Sequence, residues 1–458
     1  MSVGSGFFAR TAPSLAGLLA LAVFAGLWMG GAQTVYTHLL LVWGMIPFQY
    51  PFLDLDGALA AWDCSRTGVD VILADPCDVL QRGYNYPPFW MTIDWIPLGR
   101  PDRIGVGLAL SAAFLLSLSA LPRPLSRTET MLRIAAVLST MIVFAIERAN
   151  PDLLIFLLVI LMLSLLRRSL IARTAGYGIA FLGGAIKYYP FILLSLMARE
   201  RVRVLIPVIL AAVMGLGLFF YHYLAQIREG LPHIASGGPF GDMFGARNFP
   251  MGVFLIVRHL LDSSADDKLR AIDSTAIVIG IAALIATALL VAVVVRTAIT
   301  VWRASDIPGA VARLDEPRRY ALLAGALLLA GCFIAGQSIG YRGVFFLLIL
   351  PGLYALGQDE AAGRAAVAAR WAAIGVVPLM WAEAIRLWIY TAIAGHLPPL
   401  HGRYVMVLEQ PVGAIVWGVR EIAWWLLVAL LSLILLGFFV DSPAFRFLGP
   451  HLSIRRTS

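Results

Sequence analysis

Lysine is nearly absent from this chain: of 35 basic residues only Lys187 and Lys268 are lysines, and the rest are arginines. Charge of either sign is scarce, at 14% of 458 residues, whereas 60% are hydrophobic and the mean hydropathy is +0.84. No soluble globular fold could hide that much apolar side chain, so a polytopic helical membrane protein is expected. The formal charge of +8 would suggest nucleic acid in a soluble chain. Here the basic residues sit in short clusters beside apolar runs, so the charge reads as topology and no nucleic-acid partner is expected. Only three cysteines are present, and no glycine-rich phosphate loop is evident. The hydropathy shows no related halves, as an inverted-repeat transporter would.

Apolar runs near the roughly 20 residues that span a bilayer fall at 13–32, 104–121, 132–147, 152–166, 203–224, 274–302, 320–337, 341–357, 370–394 and 414–440. The first resembles a signal peptide, but no clear cleavage site follows it, so an uncleaved helix is expected. Arginine clusters follow alternate runs: Arg123, Arg127 and Arg133; Arg167, Arg168 and Arg173; Arg303 to Arg319; Arg364 and Arg370; Arg446, Arg455 and Arg456. Placing these inside puts both termini in the cytoplasm and segment 48–103 outside. A short apolar stretch, 249–261, reads as an interfacial helix, followed by a charged linker over 263–273.

One segment does not fit alternation. Residues 174–198 could cross once, yet RRSLIAR precedes them and RERVR follows. Pro190, in Lys187-Tyr188-Tyr189-Pro190, disfavours a continuous helix. Two short helices that dip in and return would keep both basic clusters on one side, and such backbone is tolerated where it lines a cavity. Lys187 would then sit amid apolar residues, where an unpartnered cation costs at least ~3 kcal/mol, so a phosphate or a loop carboxylate is its expected partner.

Segment 48–103 runs against the basic balance of the chain, with eight Asp, no Glu, four Arg and no Lys. Cys64 and Cys77 lie within it and a disulfide is expected between them. Closing a loop of about 15 residues is worth ~3 kcal/mol in the chain-entropy account, and an extracytoplasmic loop can be oxidised. Without a His in the segment, and with spacing unlike a zinc motif, no metal site is expected there. Asp70, Asp75 and Asp78 read as turn residues. Asp54 and Asp56 carry the chemical interest. Extended, they would present paired acids able to hold a divalent cation; helical, they would diverge by about 200° and leave one inward-facing base.

Other polar residues gather at predicted outer turns. Glu147-Arg148-Ala149-Asn150-Pro151-Asp152 joins two runs, although Glu147 and Arg148 could simply pair with each other. Gln337 to Arg342 forms another turn, where the planar Arg342 guanidinium suits two phosphate oxygens. A loop over 226–248 with Arg228, His233 and Arg247 would cover the site. His396 and His401, in GHLPPLHG, are too weak a signal for a metal site.

In order, D-L-D at Asp54, a G-x-D-V turn at Gly68, N-Y-P-P-F-W around Tyr86, E-R-A-N-P-D, I-K-Y-Y-P and G-Y-R-G-V-F-F resemble the polytopic GT-C glycosyltransferases, nearest to glycosyltransferase family 87, the polyprenol-phosphate-mannose-dependent mannosyltransferases. The likeness runs from about residue 45 to 357 through short, degenerate motifs. It implies an all-α, multi-pass protein of the bacterial inner membrane, with about ten spans and a broken or re-entrant pair. It further implies transfer of mannose or another sugar, with inversion, from a polyprenyl-phosphate donor to a glycolipid or glycan acceptor on the periplasmic face. Asp54 or Asp56 would be the base. Lys187, Tyr189, Tyr341 and Arg342 would bind the donor phosphate; Tyr86, Glu147, Arg148, Asn150, Asp152 and Arg247 would support the site. Glu147 stands where the family commonly has Gln, and the paired cysteines mark a divergent branch. No cofactor is required, although D-x-D admits a divalent cation. A lipid-linked polysaccharide polymerase or ligase is the second reading, but such proteins usually carry their large polar loop late in the chain.

Overall fold

The computed structural model describes residues 3–48, 50–72, 75–81, 83–234, 237–264, 273–396, 403–408 and 410–448. Lys268, with the rest of 265–272, His401, Arg455 and Arg456 lie outside the described residues. Helices dominate: α1 (Val3–Met29), α2 (Gln33–Val42), α3 (Leu53–Arg66), α4 (Arg103–Ser117), α5 (Arg127–Val137), α6 (Thr140–Arg148), α7 (Asp152–Leu166), α8 (Leu170–Ile186), α9 (Val202–Gly230), α10 (Asn248–Ser264), α11 (Asp273–Arg303), α12 (Ile307–Arg313), α13 (Glu316–Ala335), α14 (Phe346–Leu356), α15 (Arg364–Met380), α16 (Ala382–Ala394), α17 (Arg403–Leu408), α18 (Pro411–Asp441) and α19 (Pro443–Leu448). Two-residue strands β1 (Met243–Phe244) and β2 (Ser338–Ile339) pair antiparallel, Met243 opposite Ile339.

Among the described residues, six helical stretches are long and apolar enough to cross a membrane, and up to eight spans result if two bent pairs each count as one. Those pairs are α5 with α6, bent by 46°, and α15 with α16, bent by 61°. This is a multi-pass, all-α membrane protein, and by length and apolarity the described helices do not confirm all ten predicted runs as full spans. The difference lies in runs 152–166 and 341–357, which form helices of 15 and 11 residues. At 1.5 Å per residue, α7 extends about 22 Å, short of a ~30 Å hydrocarbon core. The wall around them is α13, most of whose side chains are buried, packed against α14 and α18.

Residues 170–199 form a hairpin. Helix α8 ends at Ile186, Lys187 turns into extended backbone (φ −153°), and Tyr189–Arg199 returns as a 3₁₀ segment. The two limbs close tightly at Gly184, where a Cβ would stand 2.2 Å from the Phe191 ring. At the open end Arg173 grips Glu200 with two hydrogen bonds of 2.9 and 3.0 Å, joined by the Tyr177 hydroxyl at 2.8 Å. Both ends of the segment are therefore on the same side, and a single kinked crossing is ruled out.

Local capping fixes helix starts at this same end. Ser126 accepts from Glu129 N at 3.1 Å, while the Glu129 carboxylate takes Leu125 N at 2.6 Å, and Asp315 accepts from Arg318 N at 2.9 Å. Each satisfies amide donors that a helix start leaves open. At the other end, Gly44 (φ +78°) lets the chain after α2 lie against Ala384 of α16, whose backbone nitrogen would be 2.6 Å from any Cβ.

Candidate functional site

Asp54 and Asp56 sit in the first turn of α3 and point apart, because helical residues two apart are separated by about 200°. Asp56 faces inward and is fully buried. Arg103 reaches it at 2.9 Å, Arg100 at 3.3 Å, and the Tyr50 hydroxyl donates to it at 3.1 Å. Burial and then the Asp56 charge push the Tyr50 hydroxyl's pKa up, so it stays a donor at ordinary pH. The D-x-D pair is therefore no cation site: its oxygens do not converge, and Asp56 already neutralises part of an arginine pair. Asp56 holds the 99–103 turn to α3, and only Asp54 remains a candidate base.

Asp54 is half-buried and faces the E-R-A-N-P-D turn. That turn is tight because Ala149 adopts a left-handed conformation, φ 43°. The turn presents Asn150, fully buried, whose amide nitrogen donates to Asp54 Oδ2 at 2.6 Å. The Asn150 side-chain oxygen accepts from Lys187 Nζ at 3.0 Å and from Asp152 N at 2.9 Å. Asn150 thus joins the candidate base to the cations.

Asp152 opens α7, where a carboxylate is favoured by the helix dipole. It is fully buried and gathers three donors from two parts of the chain: Lys187 Nζ at 2.7 Å and the Tyr189 hydroxyl at 2.7 Å from the hairpin bend, and Arg342 Nη1. The Arg342 guanidinium stacks 4.1 Å from the Tyr189 ring centre, and Lys187 lies 5.1 and 5.8 Å from the rings of Tyr341 and Tyr86. Aromatic faces and one carboxylate thereby stabilise two cations in an apolar setting. The break at Lys187 is what aims its ammonium at Asp152. Asp152, rather than a carboxylate of segment 48–103, is the partner of Lys187. One carboxylate does not exhaust the pair. Lys187 has three N–H bonds and two acceptors among the described residues, and Arg342 engages Asp152 through Nη1, leaving Nε buried with no partner.

Of the remaining predicted residues, Glu147 and Arg148 are tied into the neighbouring backbone, whereas Arg247 is not joined to this cluster. Glu147 and Arg148 pair at 3.2 Å; the Tyr36 hydroxyl donates to Glu147 at 3.1 Å, and Arg148 donates to Ile46 O at 3.0 Å while lying 4.0 and 5.0 Å from the rings of Phe48 and Phe144. They hold residues 46–52 against α6. Arg247 is exposed at the start of α10, and its side chain makes no hydrogen bond or ion pair with a described residue. Cys64 and Cys77 form a disulfide with Cα atoms 6.0 Å apart. Together with Asp75 they form the group of metal-type ligands found among the described residues, but both sulfurs are consumed by the bond.

Sequence reasoning passed over a second buried ionic cluster. Arg386 binds Glu383 on α16; Arg420 binds Glu383 across to α18, takes its neighbour Glu421 at 2.7 Å, and donates to Gly241 O at 3.2 Å. The signal was there, since all four charges interrupt the apolar runs 370–394 and 414–440, the criterion that singled out Lys187. The tie at Gly241 has a direct line to the site. Asp242 O accepts from Gly340 N at 2.9 Å, β1 pairs with β2, and Tyr341 and Arg342 follow at once. Comparisons with protein-family models, with curated proteins and with solved structures each return no match.

Proposed function

We propose that the protein is a membrane glycosyltransferase of GT-C type, which moves a sugar from a polyprenyl-phosphate donor to a lipid or glycan acceptor at the periplasmic face of the bacterial inner membrane. The observation that carries this reading is the single hydrogen-bonded unit that joins a half-buried Asp54, through Asn150, to Lys187 and Arg342. Asp54 takes the proton of the acceptor hydroxyl, whose oxygen attacks the anomeric carbon from the face opposite the phosphate. The carbon–oxygen bond to phosphate breaks with inversion, and the electron pair leaves on the lipid phosphate. That group passes from a diester with one negative charge to a monoester with more. Remaining N–H donors of Lys187 and Arg342 stabilise the added charge, an effect strongest in the transition state.

The test is reconstitution of purified protein with a panel of polyprenyl-phosphate hexoses and pentoses, following lipid phosphate release. Wild type should turn over at least one donor, and Asp54→Asn should lower that rate by about 10²–10⁴. A reduction of less than about tenfold would remove Asp54 as the base.

A further inference from the structure

The N-Y-P-P-F-W motif contributes more to the site than Tyr86. Pro88 opens a short 3₁₀ turn, Pro88–Ile93, on which Trp90 is buried. The Trp90 indole N–H donates to Ile186 O at 2.9 Å, and its backbone carbonyl accepts the Trp62 indole N–H, also at 2.9 Å. Trp62 is buried on α3, the helix that carries Asp54.

Trp90 meets the hairpin at one peptide unit. Ile186 closes α8, and its carbonyl is among those that a helix end leaves without an intrahelical donor. The same planar unit carries Lys187 N, which donates to Gly183 O at 2.9 Å. The plane from which Lys187 departs is therefore held on both edges, one of them by a residue outside the hairpin. These contacts close a ring: Asp54 through Asn150 to Lys187, then back through the 186–187 peptide, Trp90 and Trp62 to α3. Its two arms differ in chemistry. Asn150 and Asp152 hold the ammonium itself, through donors for which an incoming phosphate would compete, whereas Trp90 holds the backbone by a neutral bond outside that competition.

We propose that Trp90 is a positioning residue for Lys187, and that Trp62 sets the spacing between α3 and the hairpin bend while the ammonium exchanges partners. The proposal rests on the glycosyl-transfer reading for what the ammonium meets, but its test reads Lys187 directly and needs no transfer. With only two lysines in the chain, Lys268→Arg leaves Lys187 as the one side-chain amine.

Full-length Lys268→Arg protein is treated with sulfosuccinimidyl acetate, and acetylation of Lys187 is followed by peptide mass spectrometry. Buried and bound to Asp152, the amine reacts only when it opens locally, so the rate reads how firmly it is held. Trp90→Phe and Trp62→Phe should each raise that rate about fivefold, the worth of one buried neutral hydrogen bond. Benzothienylalanine at position 90, which keeps the bicyclic shape without the N–H, should do the same, and 7-azatryptophan, which restores the N–H, should return the starting rate. Trp43→Phe removes an indole bond of 2.8 Å to Leu138 O elsewhere in the fold and should leave the rate unchanged. In a protein that turns over a donor, the Trp90 variants should lower kcat and leave donor KM unchanged. An unaltered labelling rate with benzothienylalanine or in Trp62→Phe, an equal rise in Trp43→Phe, or an unaltered kcat in an active enzyme would each overturn the proposal. Faster labelling in a protein that transfers no sugar from any donor would reject the enzymatic reading and leave the positioning of Lys187 standing.

Discussion

The amide nitrogen of Asn150 donates to Asp54 Oδ2 at 2.6 Å, while its oxygen is occupied by Lys187 and the Asp152 amide. The carboxylate is held at one angle by a residue that is itself held at both ends. Removing the amide with Asn150→Ala should lower kcat by roughly tenfold or more, the effect of a hydrogen bond to a charged group, with little change in donor KM. A change confined to KM would show that Asn150 serves binding instead.

Asp54 and Asp56 should respond in opposite ways. Asp54→Asn should fold normally and lose transfer. Asp56→Asn leaves Arg100 and Arg103 without their shared carboxylate; because both arginines are partly exposed, the loss is that of a hydrogen bond to a charged group, about 1.5–3 kcal/mol. Thermal unfolding of the two variants in detergent separates these outcomes; equal Tm values would contradict the assignment of Asp56 to structure.

Asp152→Asn should destabilise strongly, because Lys187 and Arg342 would then share no counter-charge. Lys187→Met alone should also destabilise, and the double variant should cost less than the sum, with a coupling of about 0.5–3 kcal/mol. Additive losses would mean that the 2.7 Å contact contributes nothing of its own.

The hairpin makes a charge-swap prediction. Arg173→Glu or Glu200→Arg alone should lower Tm, and the two together should recover most of the loss, since the pair is only partly exposed and its geometry is bidentate. No recovery in the double variant would show that the limbs are closed by packing at Gly184 alone.

Replacing Cys64 and Cys77 by Ser should lower stability by about 3 kcal/mol on the chain-entropy account, and dithiothreitol should bring wild type to the same Tm. A reductant-insensitive wild type would mean that the bond does not form in the membrane-bound protein.

Much of this arrangement is legible in composition and spacing. A lysine in a chain that otherwise uses arginine, a proline three residues after it and basic clusters on both flanks are enough to predict the hairpin. The orientation of Asp54 and Asp56 was open because it depends on whether α3 is helical, and the stretch has both a D-x-D spacing and alanines that favour a helix. The partner of Lys187 was hidden for another reason. Asp152 lies only 35 residues away in sequence, but recognising it requires knowing that α7 and α8 are antiparallel and stop at the same level. About ten spans are not confirmed, six to eight being long and apolar enough among the described residues, because hydropathy measures apolar length and does not show where a helix starts, and α7 and α14 start at the buried site.

The Arg173–Glu200 closure also has a consequence for how the chain is laid down in the membrane. A hairpin that begins and ends on one side contributes an even number of passages, so it does not invert whatever follows it. Residues 170–200 are in this sense a parity-neutral insert: their removal would erase Lys187 and Tyr189 from the site while leaving α9 to α18 in their original orientation. The element that supplies a site cation is therefore one that the rest of the topology does not need.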